Sequence, residues 1–490
     1  MSLKDKKVAV NFSGVGTYFK EPPFHPPERY PEYDGTETQS GNSIYSNVRQ
    51  VLYQAGLDEE RFGTPEWNPF GVLIDPGMTV FIKPNTVRHY HMGGGDVLSI
   101  INHASVLRPV LDYTIKALKG EGRIIIGDSQ VIFGRFEEAY EVAQIDQLLE
   151  WIRQQTNIEI ECFDLRLVQG AKSWMHGRWA REKIEKDPRG YRFVDLGDKS
   201  CFKGIDPKRL RIAIASHKNM IKHHSNGKHE YLFPQSVLDS DVIINIPKLK
   251  THRRTAVTLA IKNFMGIPAW KDTLPHFITG SAKEGGDQYI YPSIRKRVVL
   301  WLHDRIQSVP FVPIKFCFAV VKRLLWDTRK IVPFKDNISE AMWYGNDTLW
   351  RTLADLNRGV LYADREGVIR STQQRRYFAI IDGFIAGEKD GPVSVDPVPA
   401  GVVMAGYNPV ALDLVAATLM GFDVKKIPMI WNTFGGRDGL NGQAPSLFDG
   451  DESQVTINTG DEILSFHQFQ EQHNLKFEPH PTWKGHVERD

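Results

Sequence analysis

Short apolar runs that end in polar residues, with helical patterns between them, constrain the fold of this chain more than any other feature. Three of these runs, with their polar ends, are Val80-Phe81-Ile82 before Lys83-Pro84-Asn85, Arg123 to Ile126 before Gly127-Asp128-Ser129, and Asp241 to Ile246 before Pro247-Lys248-Leu249-Lys250. Between the first two runs, apolar side chains over 105–118 recur at helical spacing. Apolar runs that alternate with helices are typical of a parallel sheet. We therefore predict a two-lobed α/β fold with parallel or mixed sheets, flanking helices and a ligand cleft at the carboxyl ends of the strands.

The C-terminal third repeats this pattern. Residues 377–381 and 401–405 are apolar enough for two further strands, and the first is followed by Asp382-Gly383. Asn408-Pro409 indicates the N-cap and first turn of a helix. Between the two strands, 387–392 is rich in Gly and acidic residues, which predicts a turn.

Length and composition indicate a large globular protein. The chain has 490 residues, of which 41% are hydrophobic and 24% charged, and its 61 Lys+Arg nearly balance its 59 Asp+Glu. These values exclude a disordered chain, a collagen-like chain and a globally basic nucleic-acid coat. We predict an N-terminal α/β domain over 1–290, a basic amphipathic helical insertion over 291–336 and a C-terminal α/β domain with a surface-wrapping tail over 337–490.

Cysteine usage and the N-terminus indicate where the protein resides. Cys162, Cys201 and Cys317 are far apart and form no CxxC motif, which argues against an iron–sulfur cluster and fits a reducing compartment. Residues 1–7 are polar, and no run approaches the ~18 apolar residues of a membrane-spanning helix. We therefore expect a cytoplasmic protein.

The stretch 293–335 combines ten Lys/Arg with only two acids and with aromatic-rich apolar runs. Such a composition is found in helices that lie in a membrane interface. It also fits a pair of helices that packs on the protein body and leaves its basic residues solvated. We favour the packed helical pair, with peripheral membrane contact as the alternative.

A concentration of positive charge points to an anionic ligand. Residues 203–254 contain eleven Lys/Arg and five His against four acids, within a chain that is nearly neutral overall. This local excess favours a phosphate or carboxylate, although a solvated basic surface is the simpler explanation. The predicted substrate-binding residues lie at or just after the ends of strands, or in the segment 257–266 that follows the third of them. They are Lys83, Asn85, Ser129, Lys248, Lys250 and Asn263. Asn85 and Ser129 could equally cap the helices that follow them.

Three residues are candidates for catalysis. Lys262 lies within the apolar pattern of 257–265, and a lysine held against apolar surface tends to become a nucleophile or a ligand-fixing group. His252 or Asp128 would transfer a proton.

Asp413 lies among apolar residues, so we expect it to be buried and paired, with one of the lysines as a candidate partner.

Four residues are candidates for binding a divalent metal ion: His276, Asp382, Glu388 and Asp390. The three carboxylates could bind a cation or serve as a general base. Turn formation by Asp-Gly also explains Asp382 and Asp390. Since no HExxH motif is present, no preformed zinc site is indicated.

At this point the sequence resembles a known family. The segments 241–252 and 257–266 resemble the signature of domain-of-unknown-function family 362, and Asp382-Gly383, Gly391-Pro392 and 408–413 are similar to its second half. The similarity extends over about 80–421. Many members of that family carry a ferredoxin-like cysteine module, which this sequence lacks.

The same stretch is distantly similar to the nickel-pincer lactate racemase family. That resemblance implies a histidine, a cofactor-tethering lysine and a nickel-ligating histidine at His252, Lys262 and His276. The strand-end loop that carries that family's other acid/base histidine here contains Asp128, and 257–261 replaces its glycine-rich stretch.

Together these observations predict an enzyme that acts on a small anionic substrate, with the reaction type and cofactor open. One alternative is a racemase-like or epimerase-like enzyme with a metal cofactor. Another is a non-enzymatic binding protein at the membrane surface. Binding of nucleic acid through 203–254 is a further hypothesis, and the balanced overall charge argues against it.

Overall fold

The computed structural model describes residues 3–170, 181–212, 217–309, 311–327, 338 and 340–489. The strands in these residues are β1 Lys7–Phe12, β2 Thr79–Lys83, β3 Arg123–Asp128, β4 Glu159–Asp164, β5 Val168–Gly170, β6 Arg181–Lys183, β7 Tyr191–Asp195, β8 Leu210–Arg211, β9 Glu230–Pro234, β10 Val242–Asn245, β11 Lys248–His252, β12 Ala256–Val257, β13 Phe277–Ile278, β14 Arg376–Asp390, β15 Ser394–Val398, β16 Val402–Gly406, β17 Thr456–Asn458 and β18 Ile463–Ser465. Twelve of them form one mixed sheet.

Helices cover the sheet on both sides. The α-helices in the described residues are α1 Ser43–Gln54, α2 Ala104–Leu118, α3 Phe136–Val142, α4 Ile145–Arg153, α5 His217–His223, α6 Gln235–Leu238, α7 Leu259–Asn263, α8 Ile294–Ser308, α9 Val312–Asp327, α10 Leu349–Tyr362, α11 Pro409–Leu419, α12 Pro428–Trp431 and α13 Phe466–Gln472. A 3₁₀ turn, Phe264–Gly266, directly follows α7.

The order of the strands places the residues that we predict to bind a ligand at the carboxyl ends of neighbouring parallel strands. The sheet runs β18-β17-β1-β16-β14-β10-β2-β3-β4, and β11, β12 and β15 attach to its β14 side. Strands β14, β10, β2, β3 and β4 are parallel, whereas β16 is antiparallel to both β1 and β14. Asn245 at the end of β10 is in register with Lys83 at the end of β2.

Two hydrophobic cores lie on the two faces of this sheet. Alternate residues of one strand enter different cores, since Ile243 packs with α10 and α11 whereas Val242 and Ile244 pack with α1 and α2. Burial on both faces explains why the strands read as continuous apolar runs. The predicted halves 1–290 and 337–490 both contribute strands to this single sheet. The domain boundaries themselves stay a prediction.

The predicted fold class is confirmed, and most predicted elements are present. The runs at 80–82, 123–126 and 241–246 form β2, β3 and β10, and the pattern over 105–118 forms α2. Asn408 caps α11 by accepting hydrogen bonds from the backbone of Val410 and Ala411.

Two predicted loops are strands instead. The expected turn at 387–392 continues β14 up to Asp390 and pairs with β15. The polar residues after β10 form β11, which is parallel to β14. Pro247 interrupts the first strand because it has no N–H to donate, and the chain then pairs again with the extended β14.

Helices α8 and α9 form the predicted helical pair within 291–336. Leu302 and Ile306 of α8 are buried, and Asp304 of the same helix pairs with Arg211 of β8 at 3.4 Å. No side chain of α9 is buried among those that the structure describes. Among the described residues, no helix is long and apolar enough to cross a bilayer.

Candidate functional site

The site begins with a buried ion pair at the ends of β2 and β3. Lys83 Nζ lies 2.9 Å from Asp128 Oδ1 and donates to the Pro84 carbonyl oxygen at 2.6 Å. The other oxygen of Asp128 accepts from the backbone N–H and the hydroxyl of Thr86, at 2.7 and 3.0 Å. Burial lowers the pKa of Lys83 although Asp128 opposes that change.

Gly266 allows the chain to pass directly over this ion pair. A Cβ at that position would lie 2.4 Å from Asp128 Oδ1 and 2.8 Å from Lys83 Nζ. Both distances are shorter than any ordinary contact of a methyl group, so only glycine fits here without a shift of the ion pair.

A chain of asparagine amides connects β2, β10 and α7. Asn85 Nδ2 donates to Asn263 Oδ1 at 2.8 Å, and Asn263 Nδ2 donates to Asn245 Oδ1 at 2.7 Å. Asn102 Oδ1 accepts from the backbone N–H of Asn85 at 2.5 Å. Because these buried amides satisfy one another, they hold Asn85 and Asn263 in fixed orientations.

Lys250 is fully buried without a carboxylate partner in the described part of the chain. Its Nζ donates to Asn85 Oδ1 at 3.1 Å and to the Ile100 carbonyl oxygen at 2.5 Å. Burial, with repulsion from Lys248 and Lys262, holds the pKa of Lys250 well below its ordinary value.

Lys248 lies in a second buried ion pair, to which the N-terminal region contributes. Its Nζ is 3.1 Å from Asp382 Oδ2 and also contacts the hydroxyl of Tyr18. The Tyr18 hydroxyl donates to Asp382 at 2.7 Å, and Asn102 Nδ2 donates to the same carboxylate at 2.9 Å. Desolvation lowers the pKa of Lys248 and raises that of Tyr18 well above its ordinary value.

Asp413 positions the helix that carries Lys262. The predicted burial of Asp413 is confirmed, but its partners are backbone groups and not a lysine. Its carboxylate accepts from the N–H groups of Ala260 at 2.6 Å and Ile261 at 2.9 Å. It therefore pairs with free N–H groups in the first turn of α7, because the side chain of Thr258, the N-cap residue, makes no capping hydrogen bond.

The amine of Lys262 is unpaired within the residues that the structure describes. The residue is half-buried, and in the described residues its Nζ has no hydrogen-bond or ion-pair partner. Burial, together with repulsion from Arg254 and Lys83, lowers its pKa to about 7 even though Asp128 acts in the opposite direction.

Two histidines interact electrostatically with Lys262. His252 is buried and His276 is half-buried. Desolvation is the main reason why both have a pKa well below the ordinary value, and nearby cations, Lys262 and Arg254 among them, add to it. Both imidazoles are therefore neutral at physiological pH.

Lys271 and Arg254 complete the cationic group, and neither was singled out from the sequence. Lys271 Nζ donates to the carbonyl oxygens of Ser129 and Met265, both at 2.9 Å. Burial lowers the pKa of Lys271 to about 7. Arg254 pairs with Glu340 at 3.3 Å, and burial lowers its pKa to about 10.

Cations outnumber carboxylates in this site. Lys83, Lys248 and Arg254 have carboxylate partners. In the part of the chain that the structure describes, three lysines have none, and they are Lys250, Lys262 and Lys271. The depressed pKa values of these three follow from this uncompensated burial of positive charge.

The backbone before α7 adopts an uncommon conformation. Ala256 and Leu259 have φ of 63° and 48°, in the left-handed region that residues with a Cβ rarely occupy. Residues held in this region cluster at functional sites, where the surrounding structure compensates the strain.

Ser129, one of the predicted binding residues, has a structural role as well. Its hydroxyl donates to the Pro268 carbonyl oxygen at 2.7 Å, which ties β3 to the loop after Gly266.

The four predicted metal ligands are not brought together. Asp382 is engaged by Lys248, Glu388 accepts from the backbone N–H of Glu478 at 2.8 Å, and Asp390 lies 3.3 Å from His480 Nε2. The described residues contain no group of three or more His, Cys, Asp or Glu placed to hold a metal ion. The donor set therefore does not fit a preformed metal site at these positions.

Four residues of the site escaped the sequence analysis. Tyr18 and Asn102 are distant in sequence and belong to no motif, so no signal marked them. Arg254 ends the basic stretch 203–254, and Lys271 lies only nine residues after Lys262. A search for further basic residues close to Lys262 would have found these last two.

One family comparison bears on this site. Residues 205–418, less than half of the chain, match the family described as Domain of unknown function (DUF362). The resemblance stated from 241–252 and 257–266 is thereby confirmed, and β2 and β3 lie outside the matched range. No curated protein and no solved structure matches the chain. The similarity to nickel-pincer lactate racemases stays a prediction.

Proposed function

We propose that this protein is an enzyme that binds a small anionic substrate, a carboxylate or a phosphate, among Lys250, Lys262 and Lys271. The observation that carries this proposal is that, within the described residues, three lysines that interact through Lys262 have no carboxylate partner. An anion would compensate the cost of burying these charges. Lys83 and Lys248 are already paired with carboxylates, so they would add less to the positive potential.

The groups that could move a proton surround this position. Asp128 interacts with Lys250, Lys262 and Lys271. Neutral His252 interacts with Lys262 and Lys250. We assign proton transfer to His252 or Asp128, which leaves the lysines to hold the substrate.

Anion binding is expected to weaken as the pH rises through about 7. Lys262 and Lys271 each have a pKa of about 7, so both carry a charge below that pH and lose it above. Inorganic phosphate or oxalate at 100 times its Kd should stabilise the fold by about 2.7 kcal/mol. We expect the resulting rise in Tm to be larger at pH 6 than at pH 9. Thermal denaturation with phosphate, oxalate and, as the control, chloride measures this difference.

Paired variants test whether the cluster is responsible. Lys262→Met should weaken oxalate binding by roughly tenfold or more, because it removes one charge-assisted hydrogen bond. Lys283→Met removes an exposed lysine and should leave the affinity unchanged. Equal affinities of the two variants, measured by calorimetry, would place the anion elsewhere and refute the proposal.

A second candidate function, docking to a membrane surface, is favoured by the exposed apolar face of α8 and α9. We define this face by Ile294, Val298, Trp301, Phe311, Ile314, Phe316, Val320, Val321 and Leu324. Ile294 is 79% exposed, Phe316 68% and Leu324 65%. A concentration of exposed large apolar side chains on two neighbouring helices usually marks an interaction site.

The charge around this face favours an anionic lipid surface as the partner. Over 293–327 there are seven Lys/Arg and two Asp. Insertion of apolar side chains together with attraction of basic residues to anionic headgroups is how interfacial helices bind. We therefore infer that α8 and α9 lie on a bilayer rich in anionic lipid.

Co-sedimentation with vesicles tests this inference. The protein should bind vesicles of phosphatidylcholine with phosphatidylserine, and should bind less at high salt or without phosphatidylserine. Phe316→Ser should weaken binding by roughly tenfold or more, because the side chain no longer inserts. Ile463→Ser is the matched control, since Ile463 is also 68% exposed but lies outside this face.

Two results would overturn the membrane inference. One is an equal loss of binding, or none, in the two serine variants. The other is a concentration-dependent dimer in light scattering that Phe316→Ser abolishes while vesicles bind neither protein, since the face would then cover a second copy of the chain.

A further inference from the structure

Among the described residues, Lys262 differs from the other lysines of the site because its nitrogen makes no hydrogen bond. Lys83, Lys248, Lys250 and Lys271 all donate hydrogen bonds to protein groups. Lys262 has no such partner in the described residues, although its backbone is firmly held. Asp413 accepts from the N–H of Ile261, and Asn357 Nδ2 donates to the carbonyl oxygen of the same residue at 3.0 Å.

The two histidines that interact with Lys262 have opposite tautomers. His252 Nδ1 accepts from the backbone N–H of Arg254 at 3.1 Å, so the proton of this neutral ring is on Nε2. His276 Nδ1 lies 2.8 Å from the Leu274 carbonyl oxygen and must donate to it, so its Nε2 carries the lone pair. One ring therefore offers a donor at Nε2, and the other offers an acceptor.

A free amine near one proton donor and one proton acceptor is the arrangement that imine formation requires. We propose that Lys262 forms an imine with the carbonyl carbon of an anionic aldehyde or ketone, a step that rests on the proposed binding of a small anion. Lys250 and Lys271 would hold the anionic group, and Lys262 would attack the adjacent carbonyl. The substrate class is thus a carbonyl compound that bears a carboxylate or a phosphate.

The proposed step needs no further reactant. The neutral amine of Lys262 attacks the carbonyl carbon, and the N–C bond forms as the C=O π bond breaks. His276 Nε2 takes the two protons of the amine nitrogen, one after the other, and passes each of them to the carbonyl oxygen, to which His252 Nε2–H donates a hydrogen bond. The C–O bond breaks as the C=N bond forms, and the oxygen leaves as water. The product is an imine and one water, with no change in oxidation state. With a pKa of about 7, a large fraction of Lys262 is neutral at physiological pH.

Reductive trapping with glyoxylate tests the proposal on the full chain. Glyoxylate and cyanoborohydride should place a carboxymethyl group on Lys262 roughly tenfold or more faster than on Lys271 or Lys283, as measured by peptide mass spectrometry. Lys271 is the matched internal control. Its pKa is also about 7, but its nitrogen is occupied by two carbonyl oxygens. With glyoxylate saturating at both pH values, so that weaker anion binding at higher pH does not limit the reaction, the rate of trapping should rise from pH 6 to pH 8 as Lys262 loses its proton.

Lys262→Arg separates this proposal from the proposed function. Arginine keeps the positive charge and forms no imine, so the variant should still bind oxalate but show no modification at position 262. If wild-type protein binds oxalate and Lys262 is trapped no faster than Lys283, the imine proposal is wrong and anion binding stands. If propanal, a neutral aldehyde, modifies Lys262 as fast as glyoxylate, the amine is reactive but the anion site is refuted.

Discussion

Replacing Lys248 with methionine is expected to lower the free energy of unfolding by about 3–5 kcal/mol. The substitution keeps most of the volume of the side chain but leaves Asp382 charged and without its ammonium partner. Both members of this ion pair are completely buried, so water cannot take the place of the lost partner. The Tyr18 hydroxyl and Asn102 would still donate to the carboxylate, but neither is charged.

Urea denaturation measures this effect, and the chain offers a control of matched geometry. Lys228 lies 3.0 Å from Glu230, close to the 3.1 Å between Lys248 and Asp382, but at the surface. Lys228→Met should change stability little because water screens an exposed pair. Adding Asp382→Asn to Lys248→Met should recover part of the loss, since the unpaired charge is then removed as well. A small effect of Lys248→Met alone would contradict the predicted cost.

Gly266→Ala is expected to disrupt the anion site itself. The added methyl group would have to displace Asp128 or Lys83, whose atoms lie 2.4 and 2.8 Å from the Cβ position. Because both side chains are buried and paired with each other, we expect a loss of about 3 kcal/mol of stability. We also expect oxalate to bind more weakly by roughly tenfold or more, because Asp128 and Lys83 interact with Lys262.

Gly93→Ala is the control for this substitution. Its Cβ would lie 3.1 Å from the ring of His91 and 3.6 Å from Ser394 Cβ, longer than both contacts at Gly266, and residues 92–96 of this loop are exposed. Neither glycine has a positive φ, so alanine introduces no backbone strain at either position. Denaturation and oxalate titration of both variants measure the losses of stability and of oxalate affinity, which should be large for Gly266→Ala and small for Gly93→Ala. Similar results for both would show that the ion pair relaxes readily, against the prediction.

Much of the fold could be predicted from the sequence because burial on both faces of a parallel sheet leaves a strong local pattern. The strands β2, β3 and β10 read as unbroken apolar runs for this reason. The continuation of β14 up to Asp390 could not be predicted, since Gly383 and Gly387 look like turn residues. Glycine is needed at 387 because a Cβ there would meet the Val395 side chain across the hairpin.

The site could be predicted in part for the same reason. Lys83, Asp128 and Lys250 were inferred from their positions at or after strand ends, and the sheet brings them to one edge. The metal hypothesis grouped Asp382 with Asp390, which are eight residues apart on one strand. Because that strand is extended, Asp382 reaches Lys248 whereas Asp390 lies beside His480.

The sequence by itself determined the α/β class, the strand ends that face the site, and the resemblance to the family that matches 205–418, since each depends on local patterns of apolar and polar residues. Only the tertiary structure decided which charges are compensated. Whether a lysine has a carboxylate partner depends on contacts between residues hundreds of positions apart, as with Tyr18, Lys248 and Asp382. The unpaired amine of Lys262 also depends on the tertiary structure, because among the described residues the fold brings no partner within hydrogen-bond distance of it.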